Sequence, residues 1–203
     1  MNYKRQIITP IHKKDSKALA ENYRPIALTS HIIRTFERAV KDKIVHHLES
    51  NSLLCNNQHG FRKGRSCLTQ LLSHINEILN NGLEGMETDV VYLDYQKAFH
   101  KVDFEILLRK LKRYGIDGKL YKWLENYLQD RYQTVTVEGK ESKTAKVHSG
   151  VFQGTVLSSI LFIIYINDIN ECVEKCTFSC FADDTRVKNK TQIIYDLKTF
   201  NMS

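Results

Sequence analysis

At 203 residues, with 42% apolar and 26% charged side chains, the chain is long enough to bury a sizeable core and too apolar for wholesale disorder. Its formal charge of +7 is lopsided: residues 1 to 65 hold 13 Lys and Arg against 5 Asp and Glu, and residues 66 to 203 hold 17 against 18. Such a basic block suits a polyanion, nucleic acid first, and no basic amphipathic helix opens the chain to argue for a membrane surface.

In chain order, "QIITPI" and "YRPIALTS" are β-prone pieces around a polar connector, which predicts a hairpin with basic residues at its tip. From Ser30, a plausible N-cap, Ile33, Phe36, Val40, Ile44 and Leu48 recur at helical spacing. A second helix starts near Ser66, with Leu68, Leu71, Leu72, Ile75, Ile78 and Leu79 on one face. Both stripes read as core-packing faces. A strand over 90 to 93 runs into Asp94, and helices follow at about 103 to 114 and 120 to 130. "TVTVEGKESKTAKV" predicts a hairpin turning near Gly139, and the length of the apolar segment after "SGVFQG" favours a helix.

The last element is an aromatic strand over 178 to 182, a polar break at Asp183, Asp184 and Thr185, and a returning strand at Val187. That puts two carboxylates at a hairpin tip. Charges about 4 Å apart repel by roughly 4 kcal/mol at an effective dielectric near 20, so clustered acids call for a neutralising partner such as a divalent cation. The five cysteines are odd in number, the opening residues lack the apolar core of a signal peptide, and Cys172, Cys176 and Cys180 are spaced by four, unlike a zinc pair. Reduced thiols and an intracellular location, nucleus or cytoplasm, are expected rather than secretion. The longest unbroken apolar run, residues 160 to 166, is far too short for a membrane span.

A strand ending in Asp94, a Gly-rich loop before a helix, and a hairpin with Asp183 and Asp184 follow one another in an order that resembles the palm of a reverse transcriptase. The resemblance is to non-LTR (LINE-type) retrotransposons. It covers nearly the whole chain through "NYRPIALTS", "QHGFRKGRSCLTQLL", "YLDYQKAF", "KLKRYGIDGKLYKWLENYLQDRYQTVTVEG", "SGVFQGTVL", "LFIIYINDI" and "FADDT". It implies an α/β (α+β) right-hand polymerase fold, with basic fingers over 1–85 and a palm over 86–203 whose antiparallel sheet packs on helices. The implied reaction is RNA-templated addition of dNTPs to a DNA primer 3′-hydroxyl, run by two divalent cations about 3.5 to 4 Å apart, Mg²⁺ or Mn²⁺.

The resemblance also assigns roles. Asp94, Asp183 and Asp184 are the implied catalytic metal ligands. Phe99 is an aromatic gate that leaves no room for a 2′-hydroxyl, Gln153 and Gly154 touch the incoming nucleotide, and Arg24 pairs with its triphosphate. Lys13 and Lys14 are further candidates for phosphate, and Arg62, Lys63 and Arg65 of "FRKGRS" look like template-backbone contacts. Two positions depart from the family pattern: His100 stands where an aspartate is usual, and Phe152 where proline is usual, a bulky ring expected beside the nucleotide pocket. Measured against the resemblance, the chain is expected to stop short of a thumb and to lack a preceding endonuclease, and so to bind nucleic acid but extend a primer poorly or not at all. The alternatives are a truncated or decayed pseudo-polymerase that binds RNA without catalysis, and an RNA-dependent RNA polymerase, which would not need an aromatic at Phe99.

Overall fold

The computed structural model of the chain describes residues 4–172 and 176–189. The fold is mixed α/β, as the sequence predicts. It divides into two compact units, each drawn from two stretches of chain: residues 1–50 with 99–162, and residues 51–98 with 163–203. Strand pairing rather than chain order gathers the elements of each unit. Residues 190–203, which the expected palm takes in, lie outside the described residues.

The first unit is built on a twisted hairpin of β1 (Arg5–His12) and β2 (Tyr23–Leu28), antiparallel with Ile8 opposite Ala27. Lys13 N donates to Asn22 O (2.8 Å) and closes the basic connector. Parallel pairing of β1 with β4 (Arg131–Val137) needs a long crossover, and the helices between them supply it. Two short strands, β5 (Lys140–Glu141) and β6 (Ala145–Val147), return along β4. Glu138 and Gly139 make the turn with φ of 49° and 77°, the left-handed pair that a two-residue hairpin requires.

Helix α1 (His31–Ser50) is capped where expected, Ser30 Oγ accepting from Ile33 N (3.3 Å). It buries Val40, Ile44 and Leu48, while Phe36 is half exposed and meets Trp123 edge-on at 5.1 Å. Helices α3 (Phe104–Arg113) and α4 (Gly118–Leu128) pack Leu107, Leu111, Leu124 and Leu128 out of solvent. Helix α5 (Ser158–Ile166) carries the apolar run, as its length predicts; it starts in the first unit and ends in the second.

The second unit holds a three-stranded antiparallel sheet in the order β3 (Asp89–Leu93), β8 (Asp184–Asn189), β7 (Thr177–Phe181). Alternation sorts its faces. Phe178, Cys180 and Val187 bury together on one side with Leu93, Cys55 and Ile169. The other side carries Thr177, Ser179, Arg186, Lys188 and Tyr92, in the registers Thr177–Lys188, Ser179–Arg186 and Tyr92–Arg186.

Helix α2 (Cys67–Leu83) meets that polar side, which overturns the expectation for its apolar stripe. Leu68, Leu71, Leu72, Ile75, Ile78 and Leu79 are all exposed, and Gln70, His74 and Asn81 are buried instead. The chemistry of the facing sheet decides the roll of the helix. Glu77 accepts from Thr177 Oγ1 (2.6 Å) and pairs with the buried Lys188 ammonium, and the His74 ring lies 6.5 Å from that of Tyr92.

Candidate active site

The three acids belong to one end of the three-stranded sheet. Strand β3 closes with Leu93 opposite Thr185, so Asp94 follows β3 at the end of the sheet where Asp184 opens β8. The β7–β8 turn is tighter than the sequence suggests: it consists of Ala182 and Asp183 between the paired Phe181 and Asp184. Asp184 therefore opens β8, and Thr185 is a buried strand residue rather than part of a polar break. Ala182 takes φ of 55°, the left-handed conformation that a two-residue turn imposes. Asp94 and Asp184 are exposed and Asp183 is half-buried.

What holds this turn lies 124 residues away in the chain. Gln58 Oε1 accepts from Gly60 N (2.7 Å) and Ala182 N (2.9 Å), and its Nε2 donates to Ala182 O (3.3 Å). Cys180 N donates to Asn57 O and His59 N to Cys180 O, both at 2.8 Å, so residues 57–59 run beside β7 like a further strand. Gly60 is obligatory here, because a Cβ would stand 2.3 Å from Ala182 N. Within "QHGFRKGRSCLTQLL" the roles the resemblance implies fall on the basic residues and not on Gln58 or Gly60. The signal was a Gln two residues before a Gly, which acquires meaning only with its distant partner.

The reverse transcriptase family generally uses divalent metal ions. Hard carboxylate oxygens at neighbouring strand ends are the right donors for such a cation. Convergence is what the arrangement lacks: among the described residues no three His, Cys, Asp or Glu side chains come together as a cation site.

The candidate nucleotide contacts belong to the first unit. Phe99 is half-buried and stacks on Phe162 with ring centroids 4.2 Å apart and planes at 16°. Its carbonyl accepts from Val151 N (2.8 Å), and Gly150 N donates to Val102 O (2.7 Å), so the gate candidate and the Gly-rich segment are tied through backbone. Gln153 O accepts from Ala27 N (2.8 Å). Gly154 sits at φ of 96° with only 2.9 Å between a notional Cβ and Ile26 Cγ2, and both facts demand glycine. Arg24 is exposed on β2 opposite Ile11.

Arg131 organises this segment, and nothing in the sequence marks it. Its side chain is 1% exposed, and it donates from Nε to Leu128 O (3.0 Å) and from Nη2 to Gly150 O. The guanidinium carbon lies 4.4 Å from the Phe152 ring centre and 4.9 Å from that of Phe104. Burial draws its pKa down to about 10. Phe152 is thus a core residue, packed with Ile8 and Ala27. At the other departure, the His100 carbonyl accepts from Ser149 Oγ (2.9 Å), and its backbone comes within 2.7 Å of a Cβ built on Gly150.

Glu37 was also missed. It is fully buried, accepts from Tyr127 Oη (2.8 Å), and caps the approach to α5 by accepting from Val156 N (2.7 Å). Burial, followed by the Glu37 charge, pushes the Tyr127 phenol far above its ordinary range.

The basic candidates split into two groups. Lys13, Lys14, Arg24 and Lys63 are exposed, with Lys14 3.9 Å from Asp15. Arg62 and Arg65 turn onto their own loop, Arg62 donating to Cys55 O (2.7 Å) and Arg65 to Asn56 O.

Residues 11–199 match the family described as Reverse transcriptase (RNA-dependent DNA polymerase). Two relatives from Drosophila melanogaster are each 30% identical. One is a probable RNA-directed DNA polymerase from transposon X-element, over 96% of this chain and 22% of the relative. The other is a probable RNA-directed DNA polymerase from transposon BS, over 82% and 18%. The chain thus spans about a fifth of the length of these curated relatives. Among solved structures, a telomerase from Candida albicans, in complex with a TWJ fragment of telomeric RNA, superposes with a TM-score of 0.69 at 15% identity. It covers 96% of this chain and 39% of that one, a likeness of fold. The chain belongs to the reverse transcriptase family, as a domain of the LINE type.

Proposed function

We propose that this chain supplies the fingers and palm of an RNA-directed DNA polymerase, adding dNTPs to a DNA primer 3′-hydroxyl on an RNA template inside the cell. The observation that carries the reading is the set of three carboxylates at one sheet end, Asp94 after β3 and Asp183–Asp184 on a turn held by Gln58 and Gly60. Asp94, Asp183 and Asp184 would hold Mg²⁺ or Mn²⁺, which when bound activates the primer hydroxyl and offsets charge on the phosphates. Since the carboxylates do not converge by themselves, cation binding has to draw them together, and that is measurable as stabilisation.

Toward substrate, the Phe99 ring, stiffened by its stack on Phe162, excludes a 2′-hydroxyl by occupying its space. The backbone of Gln153 and Gly154, fixed against Ala27, offers a surface without a side chain where a nucleotide comes close. Arg24 on β2 offers a forked cation to the triphosphate.

The test is single-nucleotide addition to a primer annealed to a defined RNA, with each nucleotide class in turn. Slow deoxynucleotide addition that Asp183→Asn abolishes is expected, and Phe99→Val should raise ribonucleotide use relative to it. Preference for ribonucleotides in the unsubstituted chain would overturn the reading in favour of an RNA polymerase. RNA binding with no addition of either class would leave the non-catalytic alternative.

A further inference from the structure

Helix α2 turns its apolar stripe to solvent: Leu68 is 62% exposed, Leu72 58% and Leu79 61%, with Leu71, Ile75 and Ile78 between 36% and 44%. Leu68, Leu71, Ile75 and Ile78 step by three, four and three residues, with Leu72 and Leu79 alongside. That is the spacing by which one helix presents a seam to another. The helix cannot roll to bury the stripe within its own unit. On its opposite side Glu77 is tied to Lys188 and Thr177, Asn81 Nδ2 donates to Thr88 Oγ1 (2.8 Å), and Gln70 and His74 are buried. Ser66 and Thr69 lock the first turn in a reciprocal capping box.

The charge pattern selects the occupant. Glu77 is the only charged residue of α2, and it is spent on Lys188. The outward face therefore carries no charge to attract a phosphate backbone and none to repel an identical face.

We propose that this face is where two copies of the chain associate, α2 of one packed on α2 of the other about a two-fold axis. Ile75 is the midpoint of the 17-residue helix, so it faces its own copy whether the pair is parallel or antiparallel. A helix of this length, about 25 Å, would bury about 1,000 Å² in total, the lower end for a specific interface. The association is accordingly concentration-dependent. It does not rest on the polymerase reading, since dimers and nucleotide addition are measured separately.

The experiment is sedimentation velocity from about 1 to about 100 μM, a range that brackets weak protein association. The expected result is a shift from monomer to dimer mass across the range. Ile75→Glu and Ile75→Lys should each stay monomeric with unchanged circular dichroism, because the substituted position is already exposed, and mixing the two should restore a dimer. A wild type that remains monomeric throughout would overturn the proposal. So would a dimer that survives Ile75→Glu, or opposite charges that fail to pair on mixing.

Discussion

Arg131 shows how much a single buried side chain does in the first unit. A guanidinium is planar, so it can touch both the Phe104 and Phe152 rings while donating in its own plane to Leu128 and Gly150 carbonyls. A lysine ammonium can do neither together. Arg131→Lys should therefore lower the unfolding free energy by about 2 to 3 kcal/mol, read by urea titration; a loss below half a kcal/mol would mean the ring contacts contribute little. The histidines act through pH. Burial first, then Arg65 and Arg62, lowers the pKa of His59; burial first, then Lys188 and Arg186, lowers that of His74. A base whose folded pKa lies below its unfolded 6.5 is held neutral by the fold. Its full contribution is present above pH 6.5 and is lost as the pH falls, while the unfolded chain takes up a proton that the folded one refuses. Glu77, its carboxyl pulled down by Lys188 and Thr177 against the opposing effect of burial, loses its contribution only below pH 4.5. Between pH 7 and 5.5 the urea midpoint should fall, and His74→Gln should flatten that fall. The acid pair was legible as a doublet after an aromatic strand, whereas Glu37, Gln58 and Arg131 were not. Glu37 and Gln58 meet partners about a hundred residues away, and single-residue chemistry says nothing about who the partner is.

At the scale of elements, helices α1 and α2 show nearly the same apolar periodicity and end in opposite ways. The stripe of α1 buries Val40, Ile44 and Leu48; that of α2 faces solvent. Periodicity establishes that a segment is helical and two-faced, but the surface it lands on decides which face goes inward. For α2 that surface is the polar side of β7 and β8, where Lys188 and Thr177 take Glu77. The β7–β8 hairpin was legible as an element, and its turn length was not, because the two-residue turn at Ala182 and Asp183 is stabilised from outside by Gln58. Gly60→Ala should accordingly drive a methyl into Ala182 N and cost about 1 to 3 kcal/mol by overpacking. Because the same push displaces Asp183, the variant should also lose most of the Mg²⁺-induced rise in melting temperature. A full metal response in Gly60→Ala would separate the clamp from the acids and sink this account of it.

At the scale of the whole molecule, the ordered blocks made the family and the α/β fold legible, while the division into units was hidden. Parallel pairing of β1 with β4 joins residues more than 120 positions apart and carries residues 131–137 into the unit that begins the chain. No composition shift announces such a pairing. Charge is different, since it sums without regard to topology, and the surplus of residues 1 to 65 stands whatever the fold does. What the structure adds is which of those charges face outward. Lys13, Lys14, Arg24 and Lys63 are exposed, whereas Arg62 and Arg65 are engaged by Cys55 and Asn56 carbonyls in their own loop. Binding of a single-stranded RNA should weaken linearly with log salt, at a slope of about −0.7 per phosphate neutralised. Replacing Lys13, Lys14 and Arg24 with serine should then reduce the slope by up to about 2, in proportion to the contacts removed. Arg62→Ala should leave the slope nearly unchanged and lower thermal stability instead, since it takes the shorter of two hydrogen bonds from the Cys55 carbonyl, whose other donor is Gln58 N. Fluorescence anisotropy across about 50 to 200 mM salt, with a melting curve for each variant, separates the two. A large slope change from Arg62→Ala, with stability intact, would return that arginine to the nucleic-acid face and show that its loop opens when RNA arrives.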